Sequence, residues 1–502
     1  MTSVAKQTMA RTVAPAELRA PGVGEHPPGL LGTSPGFRSE TPRIMNWRKP
    51  LIRSIFQMLR PGVLRELELI QSIENSSAAI KHVQRERLQR LLHHAWSTTE
   101  YYRDVLEQCG AVTAAGAVNL DRFEDIPFLT KDIIRSQGSR LRAKSMPEGR
   151  RAHANQTGGS TGVPVQFWQD NGYWDATIAT RTHQFSMTGK DLGEREMKIW
   201  GSDRDLFHGT IGLKAKIENW IYNRKFEQCF YLPKEQILRI IQDINNWRPK
   251  MLWCYRDGID AIARYINRHG LTVHRPCAII LGGATVYPFI VKEIERAFGC
   301  PVLSAYGSRE IGAAACECLS QQGHHIAAQA HVVETIGTGE RPVMEQTGEL
   351  SITPLLNYAM PMIRYRIGDQ GRLTERLCDC GRKLPLLESI SGRIVEVLEN
   401  PKGEQVDPFY FIYLLGVTFN NGNLRKFQVV QEEDLSLTIN FVPESNLRAE
   451  QVFSNIDEIK DRIGLAMGPN CGVKFCRVDD IALSASGKHP YVVRRRPFSV
   501  RA

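Results

Sequence analysis

Apolar positions 51, 52, 55, 56 and 59 recur at helical spacing behind Trp47, with Arg48, Lys49, Arg53 and Arg60 around them. That stripe predicts an amphipathic helix whose apolar face packs on the rest of a domain. The same pattern is also compatible with a helix resting on an anionic membrane surface, a peripheral contact. A second helical period covers residues 77–95. Between Arg151 and Leu384 short β-rich runs alternate with helical ones: a strand over 278–281, a helix over 289–298 and a strand over 302–305. Such alternation predicts an α/β layered domain. The most apolar stretch, residues 277–291, is interrupted by Gly282, Gly283, Tyr287 and Pro288, so it reads as a buried strand followed by a turn. After Arg393 the strands shorten, over 426–431, 435–441 and 472–478, with a helix over 449–463. This is the pattern of a small α+β domain, with a boundary near Gly392 and Arg393. Residues 1–44 hold many Pro, Gly, Ala, Thr and Ser and no period, which predicts a disordered N-terminal extension. The expected organisation is therefore 1–44, a large domain over 45–392 and a small domain over 393–502.

Composition narrows the class. A chain of 502 residues exceeds one ordinary core. No run of about 18 uninterrupted apolar residues exists, so no membrane span is expected. The formal charge of +10 suits anionic small molecules such as nucleotides. No finger, RNA-recognition or basic-zipper pattern accompanies it, and nucleic acid is not an expected partner. The 11 cysteines are scattered and no apolar leader precedes them, so reduced thiols and a cytoplasmic location are expected.

Five short patterns carry chemistry. Thr157, Gly158, Gly159, Ser160, Thr161 and Gly162 form a Gly/Ser/Thr-rich turn whose backbone can approach phosphate closely, without the lysine of a Walker loop. Tyr306, Gly307, Ser308, Arg309 and Glu310 place an aromatic, a tight turn and a carboxylate at a strand end. The aromatic can stack on a base, and the carboxylate can hold Mg²⁺ beside phosphates. Arg364 to Asp369 ends in an Asp that can accept both hydroxyls of a ribose. Ser391-Gly392-Arg393 lies at the domain boundary, and Ser486-Gly487-Lys488 lies near the C-terminus.

In this order the five patterns resemble the adenylate-forming superfamily of acyl-CoA synthetases, peptide-synthetase adenylation domains and luciferases. The resemblance runs from about Met45 to the C-terminus. It is strongest to the phenylacetate–CoA ligase-like branch, which includes members found in capsular polysaccharide biosynthesis. The stretch Thr98-Thr99-Glu100-Tyr101-Tyr102-Arg103, the Glu317-Cys318 after the Tyr-Gly pattern, and Cys378-Asp379-Cys380-Gly381-Arg382 suggest that branch. The resemblance implies a large α/β adenylation domain and a small mobile α+β domain. It implies that ATP and Mg²⁺ activate a small-molecule carboxylic acid as an acyl-AMP, and that coenzyme A then accepts the acyl group. Residues 157–162 would cradle phosphates, and Gly282, Gly283 and Ala284 would line the adenine and acyl pocket. Tyr306, Gly307, Ser308 and Arg309 would face the nucleotide, and Glu310 would hold the metal. Asp369 would bind ribose with Arg393 nearby, and Lys488 would bridge carboxylate and α-phosphate. An ammonium there stabilises charge as two anions meet. A homodimer is common in the branch.

Two positions depart from the superfamily pattern: Arg309 replaces the usual Thr before the Glu, and Glu396 stands where the hinge usually carries Asp. Cys318, His325, Cys378 and Cys380 make a candidate structural Zn²⁺ site, with Cys316 and His324 as spare donors. Residues 494–496 are a basic run that reads as a solvated tail or a contact for an anionic acceptor such as coenzyme A. Alternative readings are an adenylating ligase with an amine or hydroxyl acceptor in surface polysaccharide biosynthesis, and a silent nucleotide-binding scaffold.

Overall fold

The computed structural model describes residues 46–156, 165–200, 213–229, 232–393, 398–402, 405–406, 408–419, 423–444, 447, 449–453, 455–482 and 489–495. The expected extension 1–44 lies outside them. Helices α1 (Arg48–Leu59), α2 (Pro61–Ile73), α3 (Ser77–Thr98), α4 (Glu100–Gln108) and α5 (Lys131–Leu141) come first. In α1, Ile52 and Phe56 are buried as the spacing predicts, but Leu59 at the last turn is 75% exposed. The chain turns there at Arg60 into α2, whose first residue is Pro61, so the stripe ends one turn early. Ser76, Thr99 and Thr130 cap α3, α4 and α5, each accepting from a backbone N–H in the first turn.

A hairpin of β1 (Ala152–Gln156) and β2 (Gln166–Asp170) follows, and α6 (Asn171–Ser186) starts at its end. Asp170 caps α6, accepting from the Tyr173 N–H at 2.9 Å. Then βα units alternate: β3 (Glu196–Trp200), α7 (Leu213–Ile221), β4 (Arg224–Gln228), α8 (Lys234–Trp247), β5 (Met251–Tyr255), α9 (Arg256–His269), β6 (Ala278–Gly282), α10 (Pro288–Phe298) and β7 (Val302–Ser308). Strands β4, β3, β5, β6 and β7 lie side by side and parallel, and β6 is buried along its whole length. From β7 the sheet continues antiparallel through β8 (Gly312–Glu317), β9 (His324–Ile326), β13 (Leu386–Arg393), β12 (Tyr365–Thr374), β11 (Thr347–Pro354) and β10 (His331–Ile336), which completes eleven strands.

The chain then forms a second sheet. After the β14 (Leu398–Glu399) and β15 (Gln405–Val406) ribbon comes α11 (Pro408–Tyr413), and four strands take the order β18-β17-β16-β19. These are β16 (Leu424–Gln431), β17 (Leu437–Pro443), β18 (Val473–Arg477) and β19 (Val492–Arg494). The helix expected over 449–463 is two, α12 (Ala449–Val452) and α13 (Ile456–Met467). Asn455 accepts from the Glu458 N–H and starts a new helix there, a cap that outweighs the apolar period running through it. One apolar core joins Ile279, Ile290 and Phe298 of the large sheet's layers to Phe411, Phe427, Ile439 and Val492 of the second. Among the described residues no helix is long and apolar enough to cross a membrane.

Candidate active site and metal centre

The C-terminal ends of β6 and β7 are where a doubly wound sheet presents ligands. Gly282 closes β6, and Gly283 follows at φ 86°. A Cβ on Gly283 would lie 2.4 Å from the Tyr255 ring, so only glycine fits this turn. Ala284 and Thr285 continue the loop, and the Thr285 carbonyl accepts from Arg256 Nη1 at 2.6 Å.

Beside it, β7 and β8 form a tight hairpin that holds residues 306–310. A Cβ on Gly307 would fall 2.1 Å from the Gly312 carbonyl oxygen. Ser308 Oγ accepts from the Glu310 N–H at 3.2 Å, which bends the turn. Two neighbours fix its backbone: Gln169 Nε2 donates to the Arg309 carbonyl at 2.7 Å, and the Tyr173 hydroxyl donates to the Glu310 carbonyl at 3.2 Å. Burial, and then the Glu310 charge, push the Tyr173 hydroxyl well above the usual phenol range, so it stays a donor. Glu310 is only 8% exposed, and among the described residues its carboxylate has no ion-pair or hydrogen-bond partner. A nearly buried carboxylate without a counter-charge is a fit for a cation.

Across the sheet the Tyr306 hydroxyl donates to Asp369 Oδ2 at 2.9 Å. Asp369 follows Gly368, which sits at φ 88°, and in the β12–β13 register it lies opposite Arg393. The structure thus sets the Gly282–Ala284 turn and the Tyr306–Glu310 hairpin at the ends of the adjacent strands β6 and β7, and the Tyr306–Asp369 hydrogen bond brings in Asp369 of β12, which pairs with Arg393 of β13. Residues 157–162, Glu396 and Lys488 fall outside the described residues. Arg364, in the same sequence pattern as Asp369, turns inward. Its guanidinium donates to Glu334 Oε1 at 2.9 Å and to the Ile126 carbonyl at 2.8 Å, and also bonds the Glu124 carbonyl. It stands at φ 50°, a left-handed backbone that these bonds hold in place.

Cys318, His325, Cys378 and Cys380 converge, with all four donor atoms within 4.8 Å of one another. Cys318 Sγ and Cys378 Sγ are 3.6 Å apart, and Cys380 Sγ is 3.4 Å from His325 Nε2. Bond lengths of about 2.3 Å to sulfur in a tetrahedron put sulfurs about 3.8 Å apart, so the donor set fits Zn²⁺. Burial lowers His325 to about 4, which keeps its imidazole in the neutral, ligating form. Burial raises the Cys318 thiol to about 11, whereas at Cys380 burial is outweighed by hydrogen bonds from Arg382, Cys378 and Cys318, which together lower it. Gln322 braces the loop from both sides, accepting from the Asp379 N–H at 3.1 Å and donating to Asp379 Oδ2 at 2.6 Å. Cys316 and His324, the spare donors, point elsewhere; Cys316 Sγ is bonded to the Glu317 carbonyl at 3.4 Å.

Sequence reading passes over Arg256 and Asp257, the first two residues of α9, although they touch both the Thr285 loop and the C-terminal segment at His489. An Arg-Asp pair opening a helix looks like ordinary surface charge, and nothing in its spacing marks it.

Comparison with known proteins agrees with this geometry. Residues 398–495 match the family model described as the CapK C-terminal domain. A phenylacetate-coenzyme A ligase of Thermus thermophilus is 27% identical over 329 residues, covering 64% of this chain and 71% of the relative. Protein CapK of Staphylococcus aureus is 22% identical over 417 residues, covering 82% and 88%. Among solved structures, 2-hydroxyisobutyryl-CoA ligase in the postadenylation state superposes with a TM-score of 0.66 at 19% identity, covering 84% of this chain and 90% of that one. The chain thus shares its fold with 2-hydroxyisobutyryl-CoA ligase, and its sequence is similar to phenylacetate-coenzyme A ligases and to CapK.

Proposed function

We propose that the protein is an ATP-dependent ligase that activates a carboxylic acid as an acyl-AMP and transfers the acyl group to coenzyme A. The observation that carries the reading is the nearly buried Glu310 carboxylate, unpaired among the described residues, one turn from the Tyr306–Asp369 hydrogen bond at the mouth of β6 and β7. Tyr306 supplies a ring for the adenine and fixes Asp369, whose carboxylate is the ribose acceptor. The substrate carboxylate attacks the α-phosphate, and pyrophosphate leaves. The thiol sulfur then attacks the acyl carbonyl, its proton is lost, and AMP leaves. Glu310 would hold Mg²⁺, which offsets phosphate charge. Lys488 is assigned to the first step, where two anions meet, and residues 157–162 to the phosphates. We assign 45–392 to the large domain and 393–502 to the small one. The Cys₃His set is assigned to structural Zn²⁺, because four protein donors leave no open position. A cytoplasmic location fits this reading.

The match of 398–495 to the CapK C-terminal domain favours a second reading, in which an amine or hydroxyl in surface polysaccharide synthesis replaces the thiol. The test is pyrophosphate release from ATP across aryl, aliphatic, amino and uronic acids, each with coenzyme A, with an amine or with neither. Release stimulated by coenzyme A supports the ligase and names its acid. Release that requires the amine or a sugar selects the second reading. ATP binding without release for any acid would sink both.

A further inference from the structure

Arg256 and Asp257 stand where the large sheet, the loop after β6 and the C-terminal segment meet. Arg256 is 2% exposed. Its Nη1 donates to the Thr285 carbonyl at 2.6 Å, and its Nε donates to Asp257 Oδ1 at 2.8 Å. Its guanidinium carbon lies 5.6 Å from the Tyr287 ring and 5.3 Å from the Tyr491 ring. Those two rings meet edge to face at 5.9 Å. The free oxygen of Asp257, Oδ2, accepts the His489 backbone N–H at 3.3 Å.

From the other side, residues 489–491 are tied to the second sheet. The His489 ring bonds the Phe427 carbonyl through Nε2 at 2.8 Å, Gln428 Nε2 donates to the Pro490 carbonyl at 3.0 Å, and the Val429 N–H donates to the Tyr491 carbonyl at 2.8 Å. Burial lowers the His489 pKa, so the ring is neutral and Nε2 carries the proton it donates. The segment is therefore a rigid piece of the second sheet, and Asp257 is the acceptor that joins its backbone to the large domain.

We propose that Arg256 and Asp257 form a clasp that positions the segment next to Lys488 against the Gly282–Thr285 loop, and so favours the acyl-AMP step over the transfer step. The inference rests on the proposed ligase reading. Arg256 couples the two ends: the same guanidinium binds the loop carbonyl and orients the carboxylate that receives His489. A change in the loop when an acid binds is thus felt at the segment bearing the adenylation lysine. Both are positioning residues and touch no reacting atom.

The test separates half-reactions. Asp257→Ala removes the acceptor and should lower the rate of acyl-AMP formation about tenfold, the scale of one lost charge-assisted hydrogen bond. Transfer from synthetic acyl-AMP to coenzyme A should stay within twofold of the unsubstituted protein. Asp257→Asn keeps an acceptor oxygen and should recover most of the rate. Arg256→Lys keeps the charge but loses the fork to Thr285, and should show the same bias as Asp257→Ala. Arg268→Ala, which removes the exposed ion pair to Glu444 at 3.0 Å, serves as the control and should change neither half-reaction. Hydrogen exchange of peptide 489–495 in the full chain without substrate should speed up in Asp257→Ala and not in Arg268→Ala. That readout needs no activity, so it tests the clasp even if no acid is activated. Equal loss in both half-reactions, or unchanged exchange in Asp257→Ala, would overturn the proposal.

Discussion

Replacing Arg364 with methionine tests whether the buried pair at the start of β12 holds that strand in place. In the native protein Arg364 bonds both Glu334 oxygens, at 2.9 and 3.2 Å, together with the carbonyls of Glu124 and Ile126. Its guanidinium also lies 4.2 Å from the Phe128 ring. Methionine fills much of the volume and removes every donor. Glu334, 7% exposed, is left with Ser351 Oγ at 3.2 Å as its donor among the described residues. Breaking a buried pair from one side costs about 3–5 kcal/mol, and two carbonyls stripped of a donor add roughly 1 kcal/mol each. Arg364→Met should therefore lose about 5–7 kcal/mol, a large share of the stability of an ordinary domain. Equilibrium urea unfolding of Arg364→Met, Glu334→Met and the double variant measures it. The double variant, with no charge left to bury alone, should be more stable than Arg364→Met by at least about 2 kcal/mol. A loss under about 1 kcal/mol for Arg364→Met, or strict additivity in the double variant, would refute the argument.

Other expectations concern separate groups. Burial opposes ionisation of Glu196, but Arg224 and Lys190, the latter at 2.8 Å, outweigh it and bring its pKa to about 2. A carboxylate lowered in the folded state stabilises above its unfolded pKa, so this contribution should be present above about pH 4.5 and lost as pH falls toward 2. Glu196→Gln should flatten that limb of a stability-against-pH curve, and an unchanged limb would count against the assignment. The purified chain should carry one zinc per molecule by elemental analysis, and Cys318→Ala with Cys378→Ala should abolish it; retention of metal in the double variant would point to other donors. Stripping the metal should lower the melting temperature by several degrees, because binding to the folded state alone is stabilising. Tyr306→Phe removes the hydroxyl on Asp369 and should raise the KM for ATP about tenfold, while a Tyr306→Phe enzyme with unaltered KM would remove Asp369 from the nucleotide site.

The chemistry-bearing patterns were more legible in the sequence than the architecture that brings them together. Strands at β6, β7, β16, β17 and β18 follow from apolar runs bounded by turn residues, and their ends differ from expectation by at most three residues. The cluster of Cys318, His325, Cys378 and Cys380 is legible because few combinations of cysteine and histidine can close a tetrahedron. The pairing of β13 with β9, which delivers His325 to Cys378 and Cys380, is a long-range event that no local period encodes. Arg364 and Asp369 share a motif but face opposite ways. Period-two alternation predicts different faces for positions five apart, yet it does not say which faces the core. Asp257 escapes notice for a related reason, since its partner is a backbone N–H 232 positions away.

Strand β7 divides its bonding between two neighbours. Val302, Leu303 and Ser304 pair with β6, and Ala305 to Ser308 pair with β8, with no residue shared. The strand is a splice between a parallel and an antiparallel half-sheet. Removing one residue at the junction of Ser304 and Ala305 would not let both halves keep their registers: with the β6 pairing kept, Tyr306 and every residue after it in the strand would slip one place against β8 and turn onto the opposite face. Length at this junction is therefore held more tightly than side-chain identity, and the loops beyond the hairpin are where the chain can lengthen or shorten without moving Tyr306.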